Sequence, residues 1–267
     1  MLTEMPRTSD KLLIRQDKIL KLLHANRSVT VEELCRSLEA SLATVRRDLE
    51  QLESRSLLKR TRGGAIPIGP LFYEPFRNDQ SFQDKISSFA EEKRRIAAAA
   101  AQLVSRGQTI VLSGGTTTTE VVRSLKTLSG ITIVTNAVNV AMELSNHKDI
   151  DVILTGGYLR GNWFTLVGPI ANQGSEMIFS DIMILGVDGI DAKLGLTCTN
   201  AAEAELLRRL ASHAKQKVVV CDRSKLGNVS QWSLCDTKEI QHIITDSGAS
   251  DDAVAPFEKL GIRVSRV

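Results

Sequence analysis

Cysteines are few and unpaired in this sequence. Cys35, Cys198, Cys221 and Cys235 are all there are, and no two stand in a Cys-x-x-Cys spacing. The four histidines, His24, His147, His213 and His242, lie equally far apart. That scatter suggests neither a zinc site nor a disulfide framework. Free thiols in a reducing compartment are expected, with no metal and no other cofactor. No apolar run approaches the ~20 residues of a membrane span, and no signal-type apolar core follows the first residues. A cytoplasmic protein without a membrane partner is the expectation. Rossmann and Walker fingerprints are missing too, which argues against a nucleotide-binding protein.

What the chain has is a soluble composition, 42% hydrophobic and 24% charged over 267 residues, enough for a small domain plus a medium one. Its net charge of +3 is unevenly placed. Residues 1–65 hold 13 Lys and Arg against nine Asp and Glu, whereas the remainder holds 21 against 22. The basic surplus therefore lies in the first quarter, as expected if that part meets a polyanion.

Within that quarter, the stretch Ser41–Ser54 organises the rest. On a helix it lines up Leu42, Val45, Leu49 and Leu52 as one apolar stripe, with Arg47 pointing away and Arg46 at the edge. Taken alone, this is equally an ordinary surface helix; its neighbours decide. An amphipathic helix is expected from about Asp10 to His24. Thr30-Val31-Glu32-Glu33 is a capping box opening a second helix through Leu38. Only Glu39 and Ala40 then precede the Ser41 cap, and so tight a junction is a helix-turn-helix signature. After the third helix, 57–65 alternates apolar and basic residues before two glycines and reads as a β-hairpin wing. A helix of this kind suits a DNA major groove. Thr44 and Arg47 are placed to read base edges, Ser41 and Arg46 to hold the backbone, and Lys59, Arg60 and Arg62 to contact phosphates.

Ser-x-x-Thr-Val-Arg-Arg-Asp-Leu-x-x-Leu-Glu at 41–53, with Arg-Gly-Gly-Ala at 62–65, resembles the DNA-binding domain of the DeoR family of bacterial transcription regulators. Ser56 departs from the glycine usual there. Three segments are expected: a winged helix-turn-helix at 1–66, a linker at 67–90 and an effector-sensing α/β domain at 91–267. Pro67, Gly69, Pro70 and Pro75 mark the boundary. The scattered aromatics Phe72, Tyr73, Phe76, Phe82 and Phe89 imply that the connection packs on something.

From Glu91, a helix to Arg106 leads into short Val- and Ile-rich runs at Thr109–Leu112, Ile131–Thr135, Asp151–Thr155, Asp181–Val187, Lys217–Cys221 and Gln241–Thr245, with Arg263–Val264 a possible seventh. Helical patterns at Thr118–Leu128, Ala137–Leu144, Ala201–His213 and Asp252–Leu260 separate them. This predicts a mostly parallel sheet covered on both faces. Ligands in such sheets sit beyond the carboxyl ends of the strands. Five small or polar clusters fall there: Ser113-Gly114-Gly115-Thr116-Thr117-Thr118, Asn136, Gly156-Gly157, Asp188-Gly189, and Asp222 to Lys225. The first can cradle a phosphate through its glycines, hydroxyls and helix amides, although its spacing is not that of a P-loop. Lys225 would supply the cation, and Asp188 and Asn136 would pair with sugar hydroxyls.

The second half also resembles the DeoR family, in its sugar-phosphate-sensing domain, whose fold is that of ribose-phosphate and glucosamine-phosphate isomerases. Gly115 to Thr118, Thr135-Asn136, Thr155 to Gly157, Gly186 to Ile190 and Asp222 to Gly227 carry the likeness. Ser113 stands where the family usually has Asp, and Leu207 where Lys is common. The resemblance implies a repressor of a carbohydrate operon. Its expected partners are double-stranded operator DNA, a phosphorylated sugar or related small anion, and further copies of itself as a dimer or tetramer. The competing reading is an isomerase-like enzyme carrying a DNA-binding domain. That needs a positioned base, for which Asp188, Glu203 or Asp222 could serve, yet no local motif singles one out.

Overall fold

The computed structural model describes Leu12, Arg15, Gln16, 18–20, Leu22, Leu23, Asn26, 28–54, 58–67, Lys85 and 88–267. The chain divides into two units, Met1–Tyr73 and Glu74–Val267. Ser56 and most of the expected linker lie outside the described residues.

In the first unit every described residue from Leu12 to Asn26 is helical, slightly past the expected end at His24. After strand β1 (Val29–Thr30) comes helix α1 (Val31–Leu38). Its capping box is complete: Thr30 Oγ1 accepts from Glu33 N at 3.1 Å, and the Glu33 carboxylate accepts from Thr30 N at 2.8 Å. Helix α2 (Leu42–Ser54) follows, opened by Ser41, whose hydroxyl accepts from Thr44 N at 3.3 Å. Strands β2 (Leu58–Thr61) and β3 (Gly64–Pro67) form the expected hairpin, with β1 pairing on β3. Gly64 is obligatory in this wing, since a Cβ there would lie 1.9 Å from the Val29 carbonyl oxygen.

Ile19, Leu23, Leu34, Val45, Leu49, Leu52 and Leu58 make the core of this unit. The stripe on α2 is one residue shorter than expected, because Leu42 at the helix start is 48% exposed. Asp48, flanked by Val45, Leu49 and Leu52 on the helix surface, is only 1% exposed. The Arg15 guanidinium makes that burial tolerable: Nη2 donates to Asp48 Oδ1 at 3.0 Å and Nε donates to Oδ2. The pair ties α2 to the first helix. Asp48→Ala should lower the stability of this unit by about 1–3 kcal/mol, since it strands the arginine. Thermal unfolding of the variant beside Leu42→Ala measures this; an equal, small effect from both would show that the pair contributes nothing.

The second unit begins with α3 (Ala90–Ala101), β4 (Thr109–Leu112), α4 (Thr116–Leu125), β5 (Ile131–Thr135), α5 (Val138–Leu144) and β6 (Ile150–Leu154). A hairpin, β7 (Tyr158–Arg160) with β8 (Thr165–Val167), and helix α6 (Pro169–Ser175) come next. Then follow β9 (Ser180–Leu185), β10 (Gly189–Asp191), β11 (Gly195–Cys198), α7 (Ala201–Ser212) and β12 (Ala214–Val220). β13 (Trp232–Cys235), β14 (His242–Thr245), α8 (Asp251–Glu258) and β15 (Arg263–Arg266) complete the unit. Seven strands form one parallel sheet in the order β15-β14-β12-β9-β4-β5-β6, and a second, antiparallel sheet joins β10, β11 and β13.

The predicted parallel sheet with both faces covered is thus present, the possible seventh strand included. Alternate side chains go to opposite faces. Ile110, Leu112, Ile182, Ile184, Val218 and Val220 enter one core with α3 and α4. Val111, Met183, Leu185, Val219 and Cys221 enter the other with α7. Helix boundaries shift from expectation at several ends, by two or more residues at both ends of α4 and at the C-terminal ends of α3 and α8. α3 stops at Ala101, and the Leu103 and Val104 amides bond three residues back in a tightened turn. α4 starts at Thr116 rather than Thr118, which places Thr116 and Thr117 in its first turn. The hairpin, α6 and the antiparallel sheet went unread because each element is short, giving too few residues for a period to register.

Candidate functional sites

Two sites stand out, one in each unit. On the first, α2 exposes Ser41, Arg46 and Arg47, while Thr44 is half-buried with its hydroxyl 2.8 Å from that of Ser41. Among the described residues no ion pair holds Arg46 or Arg47, so both cations face solvent. Lys59 and Arg62 are exposed on the wing. Arg60 is placed differently: Nη1 donates to Glu50 Oε1 at 2.9 Å and its backbone N donates to Glu53 at 2.8 Å. It locks the wing to α2 instead of standing free for a phosphate.

The second site follows from strand order. From β4 the chain proceeds to β5 and β6 on one side; β9, β12, β14 and β15 lie on the other. The ends of β4 and β9 therefore part at a topological switch point. A cavity of about 250 Å³ lies there. Gly114, Gly115, Thr116 and Thr117 form one wall; Gly186, Val187 and Asp188 form the next. Asp222, Ser224 and Lys225 come from the end of β12, and Glu203 and Leu207 from α7. Lys85, Ser88 and Phe89 close it from the approach to α3, Lys93 from α3 itself, and Trp163 and Thr165 from the β7–β8 hairpin.

Gly115 caps α4 at φ 138°, a conformation open to glycine, and no side chain caps the helix amides. Those first-turn donors thus face the cavity region unclaimed by a capping side chain, with the positive end of the helix dipole behind them. Thr118 and Thr119 turn their hydroxyls back onto Gly115 O, at 3.0 and 2.7 Å. Thr118 is therefore structural. So is Ser113: it is fully buried, accepts from Gly186 N at 2.9 Å and donates to Gly114 O at 3.2 Å, bridging the parting strand ends.

Of the five clusters expected to converge, those after β4, β9 and β12 do so. Asn136, Gly156 and Gly157 do not line the cavity, because β5 and β6 run outward toward the sheet edge, each strand about 4.8 Å beyond the last. They hold the hairpin instead. Asn136 Nδ2 donates to Leu166 O at 3.4 Å, and its carbonyl accepts from Leu166 N at 2.7 Å. Gly156 and Gly157 turn at φ 72° and 111°, and a Cβ on Gly157 would sit 2.6 Å from Val167 O. By fixing the hairpin they bring Trp163 and Thr165 to the site.

The charges of the cavity are mutually engaged. Asp188 accepts from Lys85 Nζ at 3.1 Å on one oxygen, and from Thr199 N and Oγ1 at 3.0 and 3.1 Å on the other. Asp222 caps the following turn through Ser224 N at 3.1 Å. Glu203 accepts from Arg160 Nη1 at 2.9 Å. Burial nevertheless pushes the Glu203 carboxyl up to about 7, with Arg160 opposing and Asp188 assisting. Lys93, 4% exposed, donates its ammonium to the carbonyls of Lys85 and of Ser88, the latter at 2.6 Å. Burial pulls its pKa down, with Lys225 and Lys85 assisting and Asp222 and Glu120 opposing. Leu207 is buried as an apolar wall.

Lys85 and Lys93, with Trp163, Thr165 and Thr199, are lining residues that sequence reading missed. Lys93 sits in Glu-Glu-Lys-Arg-Arg, a run that reads as a solvated helix face, and only packing reveals that one of its cations turns inward.

A winged helix-turn-helix followed by a parallel α/β domain with a polar crevice at its strand ends is the construction of a DNA-binding regulator with a sensor domain. Residues 15–69 match the DeoR-like helix-turn-helix domain and 88–247 the DeoR C-terminal sensor domain. The transcriptional regulator GolR of Listeria innocua is 36% identical over 94% of this chain and 96% of its own length. A lactose phosphotransferase system repressor of Staphylococcus epidermidis is 33% identical over 87% and 91%. The chain belongs to the DeoR family of transcriptional regulators, and is a regulator rather than an enzyme. Among solved structures, a ribose 5-phosphate isomerase from Methanocaldococcus jannaschii is similar at TM-score 0.38 and 18% identity, over 52% of this chain and 55% of that one, too distant to carry an argument.

Glu203 makes stability depend on pH. The fold keeps it protonated to about 7, whereas the unfolded chain releases the proton near the ordinary carboxylate value of 4.5. Its contribution is therefore full below that lower value and is lost as pH rises toward the upper one. Glu203→Gln keeps an acceptor for Arg160, and its melting temperature should fall less than the parent's between about pH 5 and about pH 8. Parallel melting curves without an ionisation-dependent difference would rule this out.

Proposed function

We propose that the protein represses a carbohydrate operon in the cytoplasm and is controlled by a phosphorylated sugar or related small anion. Residues 1–66 serve as the DNA-binding domain, 67–90 as the connection and 91–267 as the effector domain. One observation carries the effector reading: the α4 amides, uncapped by any side chain, meet a cavity that also holds Lys93 and Lys225. An anion is what amide donors, a buried ammonium and a half-buried one at one place can bind. Gly114 to Thr117 take the phosphate, and Asp188 meets hydroxyls. The repressor assignment draws support from the Staphylococcus relative, whose name gives it that role for the lactose phosphotransferase system.

In this reading α2 enters the major groove. Arg47 and Thr44 read bases, and Ser41, Arg46, Lys59 and Arg62 hold the backbone, with Arg60 acting through its lock on Glu50. Arg47→Ala should abolish operator selectivity and keep phosphosugar affinity; Lys225→Ala should do the reverse. Gel-shift titrations and thermal-shift screens over a phosphosugar panel separate the two, and equal damage to both activities by both changes defeats the modular picture.

Copies pair through the effector unit, giving a dimer or tetramer that spans repeated half-sites. β6 ends the sheet, and Ile153, Leu154, Tyr158, Leu159 and Ile170 are exposed beside it. Ile170→Asp puts an acid in the first turn of α6, where the fold tolerates it. Light scattering should then report a smaller assembly, and an unchanged mass would move the interface elsewhere.

A further inference from the structure

We propose that Glu203 selects which anion the cavity accepts: one oxygen of its carboxylate is kept for a ligand hydroxyl beside the phosphate, so a polyhydroxylated phosphomonoester is taken in preference to an apolar one. This rests on the reading of the cavity as an anion site and adds the chemical class that fits it. Glu203 is the third residue of α7, the position from which a glutamate ordinarily turns back onto the N–H of the capping residue. Asn200 does cap the helix, its side chain accepting from Glu203 N at 3.0 Å. The Glu203 carboxylate leaves that box open and reaches to β7 instead, where Arg160 Nη1 donates to Oε2 at 2.9 Å.

That contact fixes the carboxylate and leaves Oε1 without a hydrogen bond among the described residues. Oε1 lies 3.7 Å from where a Cβ on Gly114 would stand, and both residues line the cavity. The same Cβ would be 2.4 Å from Thr165 Cγ2, so only glycine keeps this corner open. The Thr165 hydroxyl, enclosed in that wall, is a second polar group with no partner among the described residues. Enclosed oxygens without partners are uncommon in a folded chain, and a ligand can supply what they lack. Burial holds the Glu203 carboxyl at about 7, so both of its forms are present near neutrality. A hydroxyl answers either one, donating to the carboxylate or accepting from the carboxyl. An ammonium answers only the ionised form, and an alkyl group answers neither. Gly114 directly precedes Gly115, the cap of α4. A ligand whose phosphate sits on the α4 amides therefore presents its first carbons, not its far end, to Glu203.

The test sets racemic 2,3-dihydroxypropyl phosphate against propyl phosphate, which has the same carbon chain and charge but no hydroxyl. Calorimetry on the full chain, on the alkaline side of the Glu203 transition, gives each affinity, with inorganic phosphate as the reference. The parent should prefer the dihydroxy ester at least about tenfold, the worth of a hydrogen bond to a charged group. Glu203→Met, which keeps the length without an acceptor, should bring that ratio close to unity while inorganic phosphate still binds. Glu203→Gln keeps an acceptor for Arg160 and with it the fold; a neutral amide in place of the carboxylate should lower the preference at least about threefold. The ratio is the readout because both esters feel the same change of charge. Equal affinities in the parent overturn the hydroxyl requirement while the anion site stands. An undiminished preference in Glu203→Gln, or in folded Glu203→Met, overturns the assignment of Glu203. If neither ester nor inorganic phosphate binds at any concentration, the anion site falls and this inference with it.

Discussion

The sensor domain depends on a gap that its topology makes unavoidable. Neighbouring parallel strands joined by right-handed crossovers can be built outward from β4 in one direction and from β9 in the other, but where the chain paths diverge no helix covers the junction. Without a fastening, the backbones beyond Leu112 and Leu185 would be left with buried, unpaired groups. Ser113 supplies it: one fully buried hydroxyl accepts from Gly186 and donates to Gly114. The glycines on either side then let the chain splay without side chains filling the space. A cavity results, walled by whatever the flanking loops deliver.

What they deliver is charge, much of it paired within the fold. Lys85 meets Asp188, Arg160 meets Glu203, and Lys93 meets backbone carbonyls. Enclosing such charges without partners would be costly, and each is held by a neighbour. The DNA-binding unit has the opposite economy. Arg46 and Arg47 remain solvated on α2, suited to long-range attraction that salt screens, while the buried Arg15–Asp48 pair and the Arg60–Glu50 bond fix the helix that carries them.

Much of this was written locally. Short continuous Val- and Ile-rich runs, separated by helical patterns, identified the sheet and its helices, since such runs leave little alternative once both faces are buried. The Thr30 and Ser41 caps placed α1 and α2 to within a residue because a cap is satisfied by atoms three positions away. That Gly114 to Thr117, Asp188 and Lys225 line one cavity was legible for the same reason: each follows a strand, and strand ends are visible in sequence.

The errors have a common origin. Asn136 and Gly156-Gly157 also follow strands, yet strand order, a long-range property, moves them away from the crevice and under a hairpin. Asp48 and Lys93 look like surface charges until a helix from elsewhere in the chain, or a carbonyl eight residues back, encloses them. Sequence alone determined the two domains, their periodicities and caps, and the chemistry available at each strand end, because those follow from contacts within a few residues. Tertiary structure alone decided which strand ends meet, which charges are buried and what each is paired with, because burial and pairing are set by neighbours that the chain brings back from far away.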